Sequence, residues 1–351
     1  MNSPSTDAAG NAPGSDPARF RRRRRIVAAL VGVSVVVLMY GTYVLERRRA
    51  AEAALANMDF VACTWYEHEL EKRGGTTTVA HLGEPPWFVE LRKAVVIVEL
   101  ESSDGDLTNA DLAQVWAPLR SLGTVRQLFV WRTQHHEQRL PPIAGLRSLE
   151  SLSLQSPDLG SDTVAVLRPL RRLRVLSLHD TSVGDAGLAH LPDLPRLEYL
   201  RLHDTETTDD GLAQLAECNR LVGLELSGPR LTGAGLRHLS RVSGLRELWI
   251  HRIHPADHDL QSLGRLPELR SLFITEGNLA DADLVHLAQL RHLEELGLSG
   301  AGITDAGLRH VFHLKHLEWI LLDDTSVSRQ GVDELKRTLP ACTVDVFPDP
   351  S

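Results

Sequence analysis

A fixed spacing of 24 residues is the strongest constraint this sequence places on its fold. The pattern Leu-x-x-Leu-x-Leu begins at Leu149, Leu173, Leu197, Leu221, Leu245, Leu269, Leu293 and Leu317, each start 24 residues after the last. Val125, with Leu128 and Val130, carries the register back one period. Ala341, Val344 and Val346 carry it forward as a degenerate last copy. Such a period means like units stacked side by side, because one unit cannot bury its own apolar face and its neighbours can. Length then stops being a guide to domain number, since a stack has no single core to outgrow.

Each unit has two halves. In the unit at Leu173, the side chains of Leu173, Leu176 and Leu178 point inward from a short strand, where successive side chains alternate. In the second half Val183 turns inward again, a Thr or Asp caps a helix by accepting backbone N–H bonds, and Leu188, Leu191 and Leu194 face the same core at a spacing of three. A longer unit of 30 residues precedes these. Its strand is the alternation Val96, Val98, Leu100, and its turn is Leu107-Thr108-Asn109-Ala110-Asp111-Leu112. The pattern predicts repeats over residues 95–340, an N-terminal cap over 74–94 that contains Pro85, Pro86, Trp87 and Phe88, and a C-terminal cap strand and tail over 341–351. The fold class is α/β: a solenoid with a parallel sheet on one side and helices on the other.

The N-terminal region is of another kind. Residues 1–25 are Ser, Ala, Gly, Pro, Asn and Asp with little to bury, ending in the run Arg21 to Arg25, and predict a disordered, basic-ended tail. Residues 26–45 contain no charged side chain until the run ends at Leu45, and Tyr40 and Tyr43 lie near the far end. Twenty helical residues span about 30 Å, the thickness of a bilayer's hydrocarbon core, so this segment predicts one transmembrane helix. A cleaved signal peptide is the competing reading. It calls for a shorter apolar region and a nearby small-residue cleavage site, but here Arg47, Arg48 and Arg49 intervene before Ala54-Leu55-Ala56. Residues 46–73, rich in Ala, Glu and Arg, predict a juxtamembrane helix. Arg19 and Arg21 to Arg25 outnumber Arg47 to Arg49, which by the positive-inside rule leaves the tail in the cytoplasm. The expectation is a single-pass protein of the cytoplasmic (inner) membrane with its repeat domain extracytoplasmic.

Composition narrows the function. A net charge of −8 argues against nucleic acid as the main partner. Cys63, Cys218 and Cys342 make neither a Cys-x-x-Cys pair nor a disulfide framework. Buried free thiols are the plain reading, with a Cys63–Cys342 or Cys63–Cys218 link the alternative. The sequence has no Gly-rich phosphate loop with its Lys, no His-Glu-x-x-His, no Gly-x-Ser-x-Gly and no dinucleotide fingerprint. No enzyme, cofactor or small-molecule substrate is expected.

These repeats resemble the leucine-rich-repeat superfamily, in the subgroup with strand-plus-helix units like ribonuclease inhibitor. The half-repeat Gly302-Ile303-Thr304-Asp305-Ala306-Gly307-Leu308 is similar to repeats common in membrane or exported proteins of planctomycete-type bacteria. The lead-in from Gly74-Gly75 through Pro85-Pro86-Trp87 to Val95-Val96-Ile97-Val98 also looks like theirs. The resemblance covers about residues 70–347. It implies a parallel sheet on a concave face, helices on a convex face, and protein binding. One departure stands out. The Asn or Cys ladder of many such repeats is replaced by Thr181, Thr205, Pro229, Ile253, Gly277, Ala301 and Thr325, so looser turns are expected near Pro229 and Ile253.

Strand residues between the inward leucines should line the concave sheet. Tyr199, Trp249, Phe273 and Trp319 are large aromatics with no core role in this register, and Arg201, His203, Glu225 and His251 lie beside them. Aromatics and Arg are the residue types that carry interface energy, so these eight are the candidate partner-binding residues; rings that merely pack on neighbours are the alternative. Gly223 and Ser227 are expected to leave low ground for a partner side chain. Arg201 should be open to a partner carboxylate unless Glu225 claims it. His179 and His203, with Asp180 and Asp204, have donors for a metal, but an exposed ladder of polar side chains explains them as well, and no metal is assigned. The function expected is a membrane-tethered module for protein–protein interaction. A structural or adhesive envelope protein with weak multivalent contacts is the alternative.

Overall fold

The structure is a computed structural model and describes residues 61–65, 95–100, 116–121, 123, 125–130, 141–253 and 259–347. The expected tail, transmembrane segment and N-terminal cap (1–25, 26–45 and 74–94) lie outside these residues. Among the described residues, no helix is long and apolar enough to cross a membrane.

Twelve described strands form one sheet in chain order: β1 Val61–Trp65, β2 Val95–Leu100, β3 Gln127–Val130, β4 Ser151–Gln155, β5 Val175–His179, β6 Tyr199–His203, β7 Gly223–Ser227, β8 Glu247–His251, β9 Ser271–Thr275, β10 Glu295–Ser299, β11 Trp319–Asp323 and β12 Thr343–Phe347. From β3 onward the sequence period is the sheet register: Leu176 pairs with Leu200, and Leu200 with Leu224. The longer first unit is the step from Ile97 to Gln127. All of these pairs are parallel; β1 alone runs antiparallel, to β2.

Strand β1 replaces the helix expected over 46–73 at Val61–Trp65; the rest of that window lies outside the described residues. Ala, Glu and Arg dominate that window, but Val61-Ala62-Cys63-Thr64-Trp65 contains β-branched and aromatic residues that favour a pleated surface. The otherwise open edge of β2 supplies the backbone partners.

The core is a column of aliphatic side chains between the strands and the returning segments. In one coil Leu173, Leu176, Leu178, Val183, Leu188 and Leu191 are all fully buried. The return is made of short turns rather than one long helix. An α-helical turn, Asp185–Leu188, is followed by a 3-10 turn, Leu191–Asp193, while Gly211–Glu217 and Gly233–Arg241 are 3-10 throughout. The leucine spacing explains this. Leu236, Leu239 and Val242 recur every third residue, and a helix with three residues per turn brings such positions into line. Cys218 and Cys342 are buried and free. Burial pushes the Cys218 thiol up to about 11, which makes it unreactive.

A ladder of Asp and Thr or Ser joins successive coils where the Asn ladder is missing. Asp185 accepts from the backbone N–H of Thr208 at 2.8 Å and from its hydroxyl at 2.7 Å. Asp209 does the same for Thr232, Asp281 for Thr304 and Asp305 for Ser328. The Thr232, Thr304 and Ser328 oxygens in turn accept an N–H from their own helical turns. Each hydroxyl is therefore a helix cap and a tie to the preceding coil. The motif's glycine follows from the same contact. A Cβ at Gly307 would sit 2.2 Å from Asp281 Oδ1, and one at Gly331 2.1 Å from Asp305 Oδ1. Burial pushes the Asp281 carboxyl up, but bonds from Thr304 and Gly307 outweigh it and hold the group below its ordinary value.

After β5, β6, β8, β9 and β11 the next residue makes the turn. Asp180, Asp204, Arg252, Glu276 and Asp324 all have left-handed backbones, with φ between 46° and 56°. Asp tolerates this region better than Arg or Glu does. Gly228 does not take the positive φ, because it precedes Pro229 and proline disfavours helical backbone in the residue before it. The turn at Pro229 thus differs from its neighbours; residues 254–258, after Ile253, lie outside those described.

Candidate interaction surface

Three outward columns of side chains cover the sheet on the side away from the core. Over β4 and β5 they are Ser151, Ser153, Gln155, Val175, Ser177 and His179: small or neutral, with Ser153 and Ser177 buried. From β6 onward they become large and charged.

The aromatics form a row. Trp249 and Phe273 stack with ring centroids 4.2 Å apart and planes at 17°, and Phe273 meets Trp319 at 5.6 Å. Trp249 is 37% exposed, but Phe273 is only 3% exposed. That corrects the reading of Phe273 as part of an exposed surface. Its ring lies over Gly297 on the next strand, where a Cβ would come within 2.1 Å of it, and stacks on Trp249. Trp319 donates its indole N–H to Asp345 at 2.8 Å.

Beside the aromatics, one carboxylate gathers three donors. Glu225 Oε1 lies 2.9 Å from His203 Nε2 and 3.3 Å from His251 Nε2, and Oε2 lies 3.0 Å from Arg201 Nε. His251 Nδ1 is 2.6 Å from the Thr275 hydroxyl, which fixes the ring as a donor toward Glu225 when the hydroxyl donates to it. Bonds from His203 and His251 hold the Glu225 carboxyl far below the usual carboxylate range, against the effect of burial. Of the two outcomes the sequence left open for Arg201, the structure has Glu225 claiming its Nε. His179 stacks on His203, rings parallel and 4.4 Å apart, and burial first, then His203, pushes its pKa down. Asp204 is engaged by Arg252 at 2.7 Å, away from the imidazoles. Among the described residues, no His, Cys, Asp or Glu group is arranged to hold a metal ion.

The expected low ground at Gly223 and Ser227 is largely filled. The Tyr199 ring lies over Gly223, within 2.3 Å of where a Cβ would be, and its hydroxyl donates to Glu247 at 3.2 Å. Ser227 is fully buried and accepts a bond from Arg252 at 2.9 Å. What remains is an open depression of about 260 Å³ lined by Tyr199, Arg201, Gly223, Glu225, Glu247 and Trp249. The sequence contains a signal for these leaning rings. Tyr199 and Phe273 are each followed 24 residues later, in the same column, by a glycine.

The structure brings Tyr199, Arg201, His203, Glu225, Trp249 and His251 into one connected group, with Phe273 and Trp319 behind and beyond it. Burial pushes the Tyr199 phenol up, and Glu247 adds to the effect. Among the described residues, Glu225 is the only carboxylate of the outward columns paired with an Arg. Glu247 and Glu295 have hydroxyl donors alone, from Tyr199 and Ser271, and Asp323 has no bonded partner.

Residues 118–283 match the model of the family described as leucine-rich repeat region. Comparison with the curated proteins gives no match. Among solved structures, the chain is similar to an internalin (inlF) of Listeria monocytogenes, at 18% identity over 70% of this chain and 78% of that one, with a TM-score of 0.48. It is also similar to an internalin C2 of the same organism, at 21% identity over 58% of this chain and 83% of that one, with a TM-score of 0.45. The 24-residue register of the parallel sheet and the family match across residues 118–283 give the repeat domain the leucine-rich-repeat fold.

Proposed function

We propose that this chain is a membrane-tethered interaction module that holds a partner protein against the outward face of β6 to β11. The leucine-rich-repeat fold is consistent with such a module. The observation that carries the reading is Trp249: a large aromatic, 37% exposed, stacked on a buried ring and lining one recess with Glu247, a carboxylate that has no Arg or Lys partner among the described residues. Rigid aromatics in such a setting lose little entropy on binding, and a face with surplus negative charge attracts a basic partner surface. Residues 26–45 are the tether, with the N-terminal tail in the cytoplasm and the repeat domain outside it.

The test is photo-crosslinking in the native membrane. A photoreactive side chain at Glu295, on the sheet, should capture one saturable protein; the same group at Gln261, on the exposed helical side, should not. Capture from Gln261 alone would move the interface to the helices, and many weak adducts from both would favour the adhesive alternative. Protease added outside sealed cells should remove the repeat domain and spare the tail, whereas a protected repeat domain would reverse the orientation.

A further inference from the structure

The depression between Tyr199 and Trp249 has a chemistry narrower than protein binding. One face of the Trp249 indole is covered by Phe273, which stands on β9. Trp249, 37% exposed as a residue, also lines the depression over β6 to β8, on the side of its strand opposite Phe273. Two carboxylates line the same space. Glu225 has both oxygens occupied, Oε1 by His203 and His251 and Oε2 by Arg201. Glu247 has one bond, from the Tyr199 hydroxyl to Oε1, and no cation partner among the described residues. The Glu225 charge offsets that of Arg201, which leaves Glu247 as the net charge of the recess.

We propose that this recess takes an arginine side chain from the partner, its guanidinium flat against the Trp249 face opposite Phe273 and hydrogen-bonded to Glu247. A planar cation satisfies both groups at once, because it stacks through its face and donates through its edge. An ammonium is a compact, strongly hydrated point charge that cannot do both equally well. An acidic side chain would meet Glu247 with like charge, and an apolar one would cover that carboxylate without pairing it. The assignment rests on the reading that this face binds protein and names the residue type that anchors it.

The full chain in detergent or nanodiscs can be titrated with fluorescein-labelled Gly-Ser peptides that carry arginine, lysine or glutamate. The arginine peptide should bind about tenfold more tightly than the glutamate peptide and several-fold more tightly than the lysine peptide. Glu247→Gln and Trp249→Ala should each weaken it by about tenfold. Gln155→Ala, on the same face over β4, should leave it unchanged. Equal binding of the lysine peptide, indifference to both variants, or no binding of the arginine peptide would overturn the assignment. Capture of a protein from Glu295 without arginine-peptide binding would sink the arginine pocket and leave the interaction module standing. Arginine-peptide binding without any captured protein would do the reverse.

Discussion

The outward face over β4 and β5 and the face over β8 to β11 rest on the same kind of core. Leu152 and Leu176 below the first are as fully buried as Leu248 and Leu272 below the second. Above the core the two differ completely. The first presents Ser, Gln, Val and one His; the second presents stacked aromatics and carboxylates without salt-bridge partners. Since equally buried aliphatic inward columns already satisfy the fold, the outward columns are free to differ, and that is where specificity in a repeat protein is written.

The largest expected effects test the sameness below. Leu176→Ala and Leu248→Ala should each lower stability by about 2–5 kcal/mol in urea unfolding, through lost burial and the cavity left behind. A large gap between the two would mean that the halves do not share one kind of core. Next comes Gly297→Ala, which drives a methyl into the Phe273 ring and should cost about 1–3 kcal/mol, whereas Ser177→Ala over β5 should stay within about 0.5 kcal/mol. Trp249→Ala should change stability by only about 0.5–1.5 kcal/mol, the scale of one aromatic stack, while weakening capture of the partner by about 2 kcal/mol or more.

A pH titration sharpens the comparison further. The folded Glu225 carboxyl is held below its ordinary value of about 4.5, so its stabilising contribution is complete above that pH. The contribution is lost as pH falls through the lower folded value. Acid unfolding followed by circular dichroism should therefore fall less steeply below about pH 4.5 in Glu225→Gln than in the parent. The outward columns of β4 and β5 contain no carboxylate and no counterpart to this effect. An unchanged acid limb in the variant would mean that the His203 and His251 bonds do not form in solution.

The sequence made the strand register and the inward leucines legible because both are written at short, regular spacing. What it hid depends on neighbours one coil away. Phe273 looked exposed from its alternation, but its ring is buried by Trp249 in the preceding strand and Gly297 in the following one. For Arg201 the sequence left two outcomes open, and the position of Glu225, 24 residues on, decides between them. The Asp185-to-Thr208 tie and the glycine it demands at Gly211 were in plain view as a motif, but their cause lies between coils, at separations of 23 and 26 residues. Strand β1 was missed for a related reason: its partner is a remote edge, and local composition pointed to a helix.

That Asp-to-hydroxyl ladder lapses over two successive rungs. Gly233 stands where Asp185, Asp209, Asp281 and Asp305 supply their carboxylates, and Ala256 stands where Thr208, Thr232, Thr304 and Ser328 supply their hydroxyls. The glycine rule lapses over the same stretch, with Asp259 and Asp283 at the positions that Gly211, Gly235, Gly307 and Gly331 hold elsewhere, and Ala280 without a hydroxyl at the second rung. Among the described residues, these ties join the coils from Asp185 to Thr232 and those from Asp281 to Ser328, and the Ala280 N–H is taken by Asp283 of its own turn. In a linear array, cooperativity passes only between adjacent units, so a weak junction divides one unfolding event into two. Pulled from its ends, the chain should part first between Gly233 and Ala280, yielding in two steps where an unbroken ladder would give one.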